Sequence, residues 1–556
     1  MTPNAASTSS GPSRRSFLAS TVVATAAVAG GMPLLTACGG SDSRSGEGTT
    51  SGKAADKLLP AYVASTVAKP DLPSKNGSSA GYTGKIDLAG LQASVPNKLG
   101  TGAPLKIMSP LWGTPPKDGC AYYKAVDAAA GTNVTWQNQD GNTYAQKLGA
   151  VLASSSIPDM VVVPSWILVS NKLPNAVIAK FMDLGPYLAG DKVKKYPNLA
   201  AIPSDSWRMS IFGGALRGIP MPSAPASFIM PYYRKDIFDK KGYSVPKSAD
   251  EFLSWAKDAT SARAKVYACG DMSWVSGSIF GAAPGWNIDA DGKLRYGIER
   301  PEYLEALEWT RKLFDAGVVH PDDKARTGDA GQRFTAGQIL VFNSDSSAWY
   351  TKTAEQAHAN PDFRIEAMDI FGADGGNPTL YASAPATIWS MIRKGASKST
   401  VENALAAADF AAAPYGTKER MLVDYGVEGT HYTVKDGVPV KTDQGNSEVI
   451  NAWTMLAAPA PYFAHPDFPE IARKQAEWQQ RMGAFMKKTS TYGMNIVEPT
   501  RYASLSSQFE QLQIDYVRGN KKLSDVQAAI STWRSSGGDK LRDWYKELLD
   551  KNGSGN

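Results

Sequence analysis

The sequence predicts an α/β protein made of two successive strand-and-helix units followed by a helical tail. Three observations carry this. Short apolar runs alternate with helical patterns over residues 104–163, the alternation restarts near residue 228 after a Pro-rich stretch, and beyond about residue 467 helical periodicity dominates.

In the first unit, Leu105-Lys106-Ile107-Met108 reads as a strand, followed by a Pro/Gly loop through Asp118-Gly119-Cys120. A helical pattern over 122–130 stops at Gly131, Asn133-Val134-Thr135-Trp136 is a second strand, and 142–154 is a second helix. Pro158-Asp159-Met160-Val161-Val162-Val163 is a third strand, apolar on both faces. Strands and helices at this spacing build a parallel sheet with right-handed crossovers. Ligands of such sheets lie beyond the C-terminal strand ends. The segments at those ends are Trp112-Gly113-Thr114, Gln137-Asn138-Gln139 and Ser165-Trp166.

The second unit begins with a strand over 228–233 and a helix opened by Arg234-Lys235-Asp236. Pro246-Lys247-Ser248-Ala249-Asp250-Glu251 caps the helix that follows, since a Ser side chain can accept from the amide three residues on. Residues 301–317 form an amphipathic helix, 338–343 a strand and 379–392 a further strand-like stretch leading to an Ala-rich helix at 400–413. The tail holds helices near 467–488, 502–518, 523–535 and 538–551.

The N-terminus places the chain outside the cytoplasm. Arg14 and Arg15 are the only charges before Cys38, and a small-residue apolar run follows over 17–37. Charged, then apolar, then small is the order of a signal peptide, here residues 1–37. Ser13-Arg14-Arg15-Ser16-Phe17-Leu18 resembles the twin-arginine export signal. Leu35-Thr36-Ala37-Cys38 resembles the lipobox of bacterial lipoproteins, whose Cys is acylated and becomes the first mature residue. Such a lipid on Cys38 would hold the protein on the outer face of the cytoplasmic membrane. Residues 38–56, rich in Gly, Ser, Thr and charge, read as a flexible tether, and 57–103 as an extended arm lying on the folded body.

Composition excludes several function classes. Loss of residues 1–37, with two arginines and no acid, lowers the formal net charge from +6 to +4. So mild an excess on a long chain argues against nucleic acid as a partner. With three Cys and four His, no cluster has zinc-ligand spacing, and no other cofactor is expected. Cys120 and Cys269 are either one disulfide or two free thiols. Asp289-Ala290-Asp291-Gly292 invites a calcium reading, but the twelfth position of such a loop is Arg300, so a hairpin turn around Asp291-Gly292 is expected and metal is not.

Five segments run in a telling order: Tyr233-Arg234-Lys235-Asp236-Ile237-Phe238, the cap from Pro246 to Phe252, Gly317-Val318-Val319-His320-Pro321-Asp322, Phe334-Thr335-Ala336-Gly337-Gln338 with Ile339-Leu340-Val341, and Tyr425-Gly426-Val427-Glu428-Gly429-Thr430-His431-Tyr432-Thr433. By these segments and their order the chain resembles the family 1 extracellular solute-binding proteins of sugar ABC importers, especially their long lipoprotein members. The resemblance implies a two-lobed fold of the type II periplasmic-binding-protein kind, with hinge crossings near 218–227 and 379–388. Residues 104–225 with 385–460 would form one lobe, and 226–384 with 461–551 the other. It also implies a monomeric, non-enzymatic carrier that closes over an oligosaccharide and docks on an ABC permease.

Sugars present apolar faces for aromatic rings and hydroxyl rims for amides and carboxylates. Trp112, Trp166, Trp274 and Trp349 fit both loop placement and the resemblance. Trp286 lies in the same segment as Trp274, and Asn138, Gln139 and Asp345 are the polar candidates. Each Trp has an alternative role in lobe packing. An exported carbohydrate-active enzyme is the competing reading, but the chain shows no nucleophile elbow and no paired-carboxylate motif. A carrier for peptides or another solute is the third.

Overall fold

A computed structural model describes residues 49–555 apart from 51, 172–173 and 503. The export signal, the arginine pair and Cys38 lie outside the described residues. Among the described residues no helix is long and apolar enough to cross a membrane.

The first sheet has five strands in the order Asn133–Asp140, Pro104–Leu111, Met160–Pro164, Ala386–Ile392, Ile219–Pro222. The first three are parallel, as the local alternation predicts. The expectation of a purely parallel sheet fails beyond them: Ala386–Ile392 runs antiparallel to both of its neighbours. That strand arrives from more than 200 residues away, so no local pattern could place it. Met160–Pro164 is buried along its whole length, which explains its continuous apolar run. The Ala121–Ala130 helix stops at Gly131, whose φ of 72° is the left-handed conformation a C-terminal cap requires.

The second sheet orders Ile365–Ala367, Met230–Arg234, Ile339–Ser344 and Tyr267–Cys269. Only Ile339–Ser344 and Tyr267–Cys269 are parallel. The Ala249–Ala259 helix opens as its sequence demands. Ser248 Oγ accepts from the Glu251 amide at 3.1 Å, and Glu251 Oε2 accepts from the Lys247 amide at 2.9 Å. Phe252 and Trp255 then reach a core with Tyr232, Phe238, Trp309, Phe334 and Val341. Trp478, fully buried on the tail helix Pro469–Gly483, joins the same core.

The chain passes between the two sheets at 223–229, at 382–385 and again at 457–468. The first two passages brace each other, because Ser223 donates to the Pro385 carbonyl at 2.8 Å and the Ser383 amide to the Pro225 carbonyl at 2.9 Å. The arm touches both sides. The Val63 amide donates to the Ala200 carbonyl and the Lys418 amide to the Gln92 carbonyl, while Ala80–Tyr82 pairs in parallel with Tyr462–Ala464 and the Ser79 amide donates to Gln479 Oε1.

Helices Ser507–Val517, Leu523–Trp533 and Asp539–Asn552 build a smaller core with the hairpin Trp286–Ile288/Leu294–Tyr296. Gly292, with φ 76°, turns that hairpin. Asp289 pairs with Arg295 and with buried Arg300, so the residue at the twelfth loop position neutralises the first. Among the described residues no group of His, Cys, Asp or Glu gathers to hold a metal. Cys120 and Cys269 are both free: Cys269 is buried in the second-sheet core, while Cys120 packs against the first.

Candidate functional site

In the first sheet the parallel register carries Leu111 opposite Asp140, with Met160–Pro164 on the other flank. The three strands therefore end together. The register also corrects one expectation: Gln137, Asn138 and Gln139 lie within the strand, because Met108, Ser109 and Pro110 continue to pair with them past Trp136.

Trp112 follows directly and is 46 % exposed. Its indole lies against Gly141, whose amide donates to the Leu111 carbonyl, and a Cβ on Gly141 would strike the ring. Gly141→Ala is therefore expected to displace Trp112 and to weaken ligand binding about as much as Trp112→Ala, with the melting point little changed. Calorimetry beside a thermal melt would check this, and wild-type affinity in the variant would refute it.

Asn138 donates through Nδ2 to the Tyr123 hydroxyl at 3.0 Å, leaving its buried Oδ1 without a protein partner. Gln139 donates to the backbone carbonyls of Gln137 and Asn138. Trp166, 48 % exposed, is the second residue of the helix Ser165–Asn171, which starts where Met160–Pro164 ends.

The second sheet gathers its candidates in the same way. Its parallel pair ends at Cys269 and Ser344. Trp274, 72 % exposed, sits on the short helix Ser273–Ile279, whose start is held by Asp271 Oδ1 accepting from the Ser273 amide and hydroxyl. Asp345 is exposed and plays the same part for the helix Ser347–Gln356, accepting from the Ser347 amide at 2.8 Å.

Two predicted positions go elsewhere. Trp349 is 3 % exposed and meets Tyr232 edge-on at 5.8 Å in the second-sheet core. Trp286 is 2 % exposed, stacked on Tyr545 at 5.1 Å and flanked by Tyr296 and Trp533. Both rings are buried, Trp349 against Tyr232 and Trp286 among Tyr296, Trp533 and Tyr545, so both pack in cores instead of standing exposed at a strand end as expected.

A group that sequence reasoning missed stands one residue beyond Trp349. Tyr350, about 100° round the helix, stacks on His465 at 4.1 Å and donates to Asp467 at 3.0 Å. Burial pushes the His465 imidazole below its usual range, and the Gln475 hydrogen bond only partly offsets this. Nearby, Tyr82 of the arm, Tyr415 and Tyr462 form a ring cluster with centroids 4.6–5.8 Å apart. Tyr462 donates to Asp424, which is also the ion-pair partner of buried Arg420. The available signal was the helix start at Ser347: once it is set, Trp349 and Tyr350 must face different ways.

Two mixed α/β sheets, crossed repeatedly by one chain and carrying aromatic residues at their strand ends, define a periplasmic-binding-protein-like fold. The alginate-binding protein AlgQ2 (17 % identity, TM-score 0.57) covers 81 % of this chain, which covers 97 % of it. FusA, an ABC-transporter substrate-binding protein of S. pneumoniae solved with kestose, gives 13 % identity and a TM-score of 0.59, covering 81 % and 100 %. The bacterial extracellular solute-binding protein family matches residues 113–418, more than half of the chain, and the chain belongs to it. Lipoprotein LipO of Bacillus subtilis (strain 168) is 24 % identical over 469 residues, 79 % of this chain and 90 % of that protein. Proteins of this family bind solutes and are not enzymes.

Proposed function

We propose that this protein is a lipid-anchored carrier that captures an oligosaccharide between its lobes and delivers it, as a monomer, to an ABC permease. One observation carries the sugar reading. Among the described residues the three exposed tryptophans are Trp112, Trp166 and Trp274, and all three stand at the C-terminal strand ends of the two sheets. A large ring left in water at the mouth of a sheet is a stacking platform, and polar groups beside it bond a sugar's hydroxyl rim. Asn138, Gln139 and Asp345 are those polar groups. The likeness to proteins described as binding alginate and kestose supports the same reading.

Mass spectrometry of material co-purified with the protein identifies the ligand, and calorimetry then tests the site. Trp112→Ala, Trp166→Ala and Trp274→Ala are each expected to weaken binding by about 10–100-fold. Unchanged affinity in all three would remove the stacking assignment. A melting point raised by peptides and by no glycan would overturn the sugar class, because only a ligand bound by the native state raises it.

Lipidation of Cys38 follows from the lipobox and agrees with the likeness to lipoprotein LipO. Cys38→Ser is expected to move the protein from the membrane fraction to the medium, read by fractionation. Replacing Arg14 and Arg15 together by Lys separates the two export routes: a block in export supports the twin-arginine route, and normal export assigns the general secretory one.

A further inference from the structure

The arm of residues 57–103 precedes the family match, which begins at residue 113. It is fastened to the first-sheet half at both ends. Near its start the Ala61 amide donates to the Gly190 carbonyl at 3.0 Å and the Val63 amide to the Ala200 carbonyl at 2.9 Å. Near its end the Gln92 carbonyl accepts from the Lys418 amide at 2.9 Å, and the Ser94 amide donates to Glu419 Oε2 at 2.8 Å.

Between these fastenings a loop reaches across to the second-sheet half. Leu72 and Gly81 exchange both backbone hydrogen bonds, at 3.0 and 2.8 Å, and close the loop at its base. Its tip turns through Asn76 and Gly77, both with positive φ, 53° and 75°. The tip lies on the helix Pro469–Gly483. Asn76 Nδ2 donates to the Gln480 carbonyl at 3.0 Å, Gln480 Nε2 to the Pro73 carbonyl at 3.1 Å, and the Ser79 amide to Gln479 Oε1 at 2.8 Å. The Gly77 carbonyl accepts from the Ala226 amide of the first passage at 3.0 Å. Glycine marks each closest approach. A Cβ on Gly77 would meet Met486 and Pro225, one on Gly81 would meet Ala476 and Leu72, and one on Gly483 would strike the Asn76 carbonyl. The fit is that of a packed interface, in which one added methyl group is felt.

The loop has little slack. Three residues after Ser79, Tyr82 is back on the first half, its ring 4.6 Å from that of Tyr415. Ala80–Tyr82 meanwhile pairs with the third passage at Tyr462–Ala464. Three extended residues span at most about 10 Å, so the helix Pro469–Gly483 and Tyr415 are tied at short range. Lobe closure turns one half against the other about the passages, which absorb the change in φ and ψ. That turn displaces the helix relative to Tyr415, and the loop must release one of them.

Resting on the reading of a ligand cleft between the lobes, we propose that the arm is a strap that holds this cleft open until ligand arrives. Under that reading the described arrangement is the open one, since Trp112, Trp166 and Trp274 stand 46, 48 and 72 % exposed. Contacts made in one arrangement and lost in the other bias the balance by their own free energy, and a ligand must supply that much more to close the protein. The strap thus keeps the empty carrier from closing.

Small-angle X-ray scattering of the ligand-free mature protein, kept soluble by Cys38→Ser, tests this. Leu72 and Gly81 already face each other as a hydrogen-bonded pair, so residues 73–80 can be replaced by Asn-Gly as a two-residue turn. The replacement removes the contacts with Gln479 and Gln480 and leaves the base in place. Its radius of gyration is expected to fall below the wild-type value, toward the roughly 24 Å of one compact body of this length. Gly483→Ala favours its own helix and pushes Asn76 away. It is expected to shift the radius the same way by less, and it carries the test if the loop replacement does not fold. An unchanged or enlarged radius in the folded variant that carries the test would overturn the strap. No sugar enters the measurement, so that result would leave the oligosaccharide reading standing, and a carrier found to bind only peptides would leave the strap standing.

Discussion

Trp286→Ala is expected to cost about 3–5 kcal/mol of stability and to leave oligosaccharide affinity within about twofold of wild type. The ring is 2 % exposed and touches Tyr296, Trp533 and Tyr545, with the Arg542 guanidinium 6.0 Å from its centroid. Truncation removes the centre of the small C-terminal core, which is too small to collapse around the void. Its helices Ser507–Val517 and Leu523–Trp533 also give Tyr516, Val517 and Val526 to the second-sheet core, so the loss should appear as a lowered main transition. Trp274→Ala is the paired control. With 72 % of that residue in water, its removal should barely move the melting point. Calorimetric melts and ligand titrations on the two variants would decide the matter. A Trp286→Ala protein that melts normally but binds no glycan would reverse both assignments.

Stability is also expected to fall by about 3 kcal/mol between pH 5 and pH 8 through Asp409 alone. This carboxyl is 1 % exposed on the helix Lys398–Ala411. Burial pushes it up to about 7, with nearby Glu419 adding to the rise, even though the Asn198 and Leu199 amides donate to its Oδ1 at 2.8 and 3.0 Å. The sign follows from linkage. A carboxyl that holds its proton more tightly folded than unfolded stabilises fully below the unfolded value near 3.8, and that contribution is lost as pH rises through 7. Asp409→Asn keeps an acceptor for the two amides and has no proton to lose, so its urea midpoint should change less over the same interval. An identical pH slope in variant and wild type would locate the titration elsewhere.

The contrast between Trp274 and Trp286 shows how far the sequence reads. Both sit in Gly- and Ser-bearing segments twelve residues apart, and nothing local separates them. What separates them is Trp533 and Tyr545, which arrive from the far end of the chain to enclose Trp286. Trp349 and Tyr350 differ for a subtler reason. Both belong to one helix, and the phase set by its start at Ser347 turns the first inward and the second toward His465. The Asn138 segment was misplaced because strand length depends on the partner strand: pairing with Pro104–Leu111 extends it to Asp140.

Taken by itself, the sequence determined the alternation of strands and helices, the caps at Ser248 and Gly131, the hairpin at Gly292 and the family-specific order of motifs. These are local matters, settled by side-chain period, capping hydrogen bonds and backbone conformation within a few residues. Only the tertiary structure decided which tryptophans meet water, where Ala386–Ile392 enters its sheet, and that Ser79 and Tyr82 of the arm reach opposite halves. Those outcomes depend on contacts between segments hundreds of residues apart, and burial is a property of the whole packed chain.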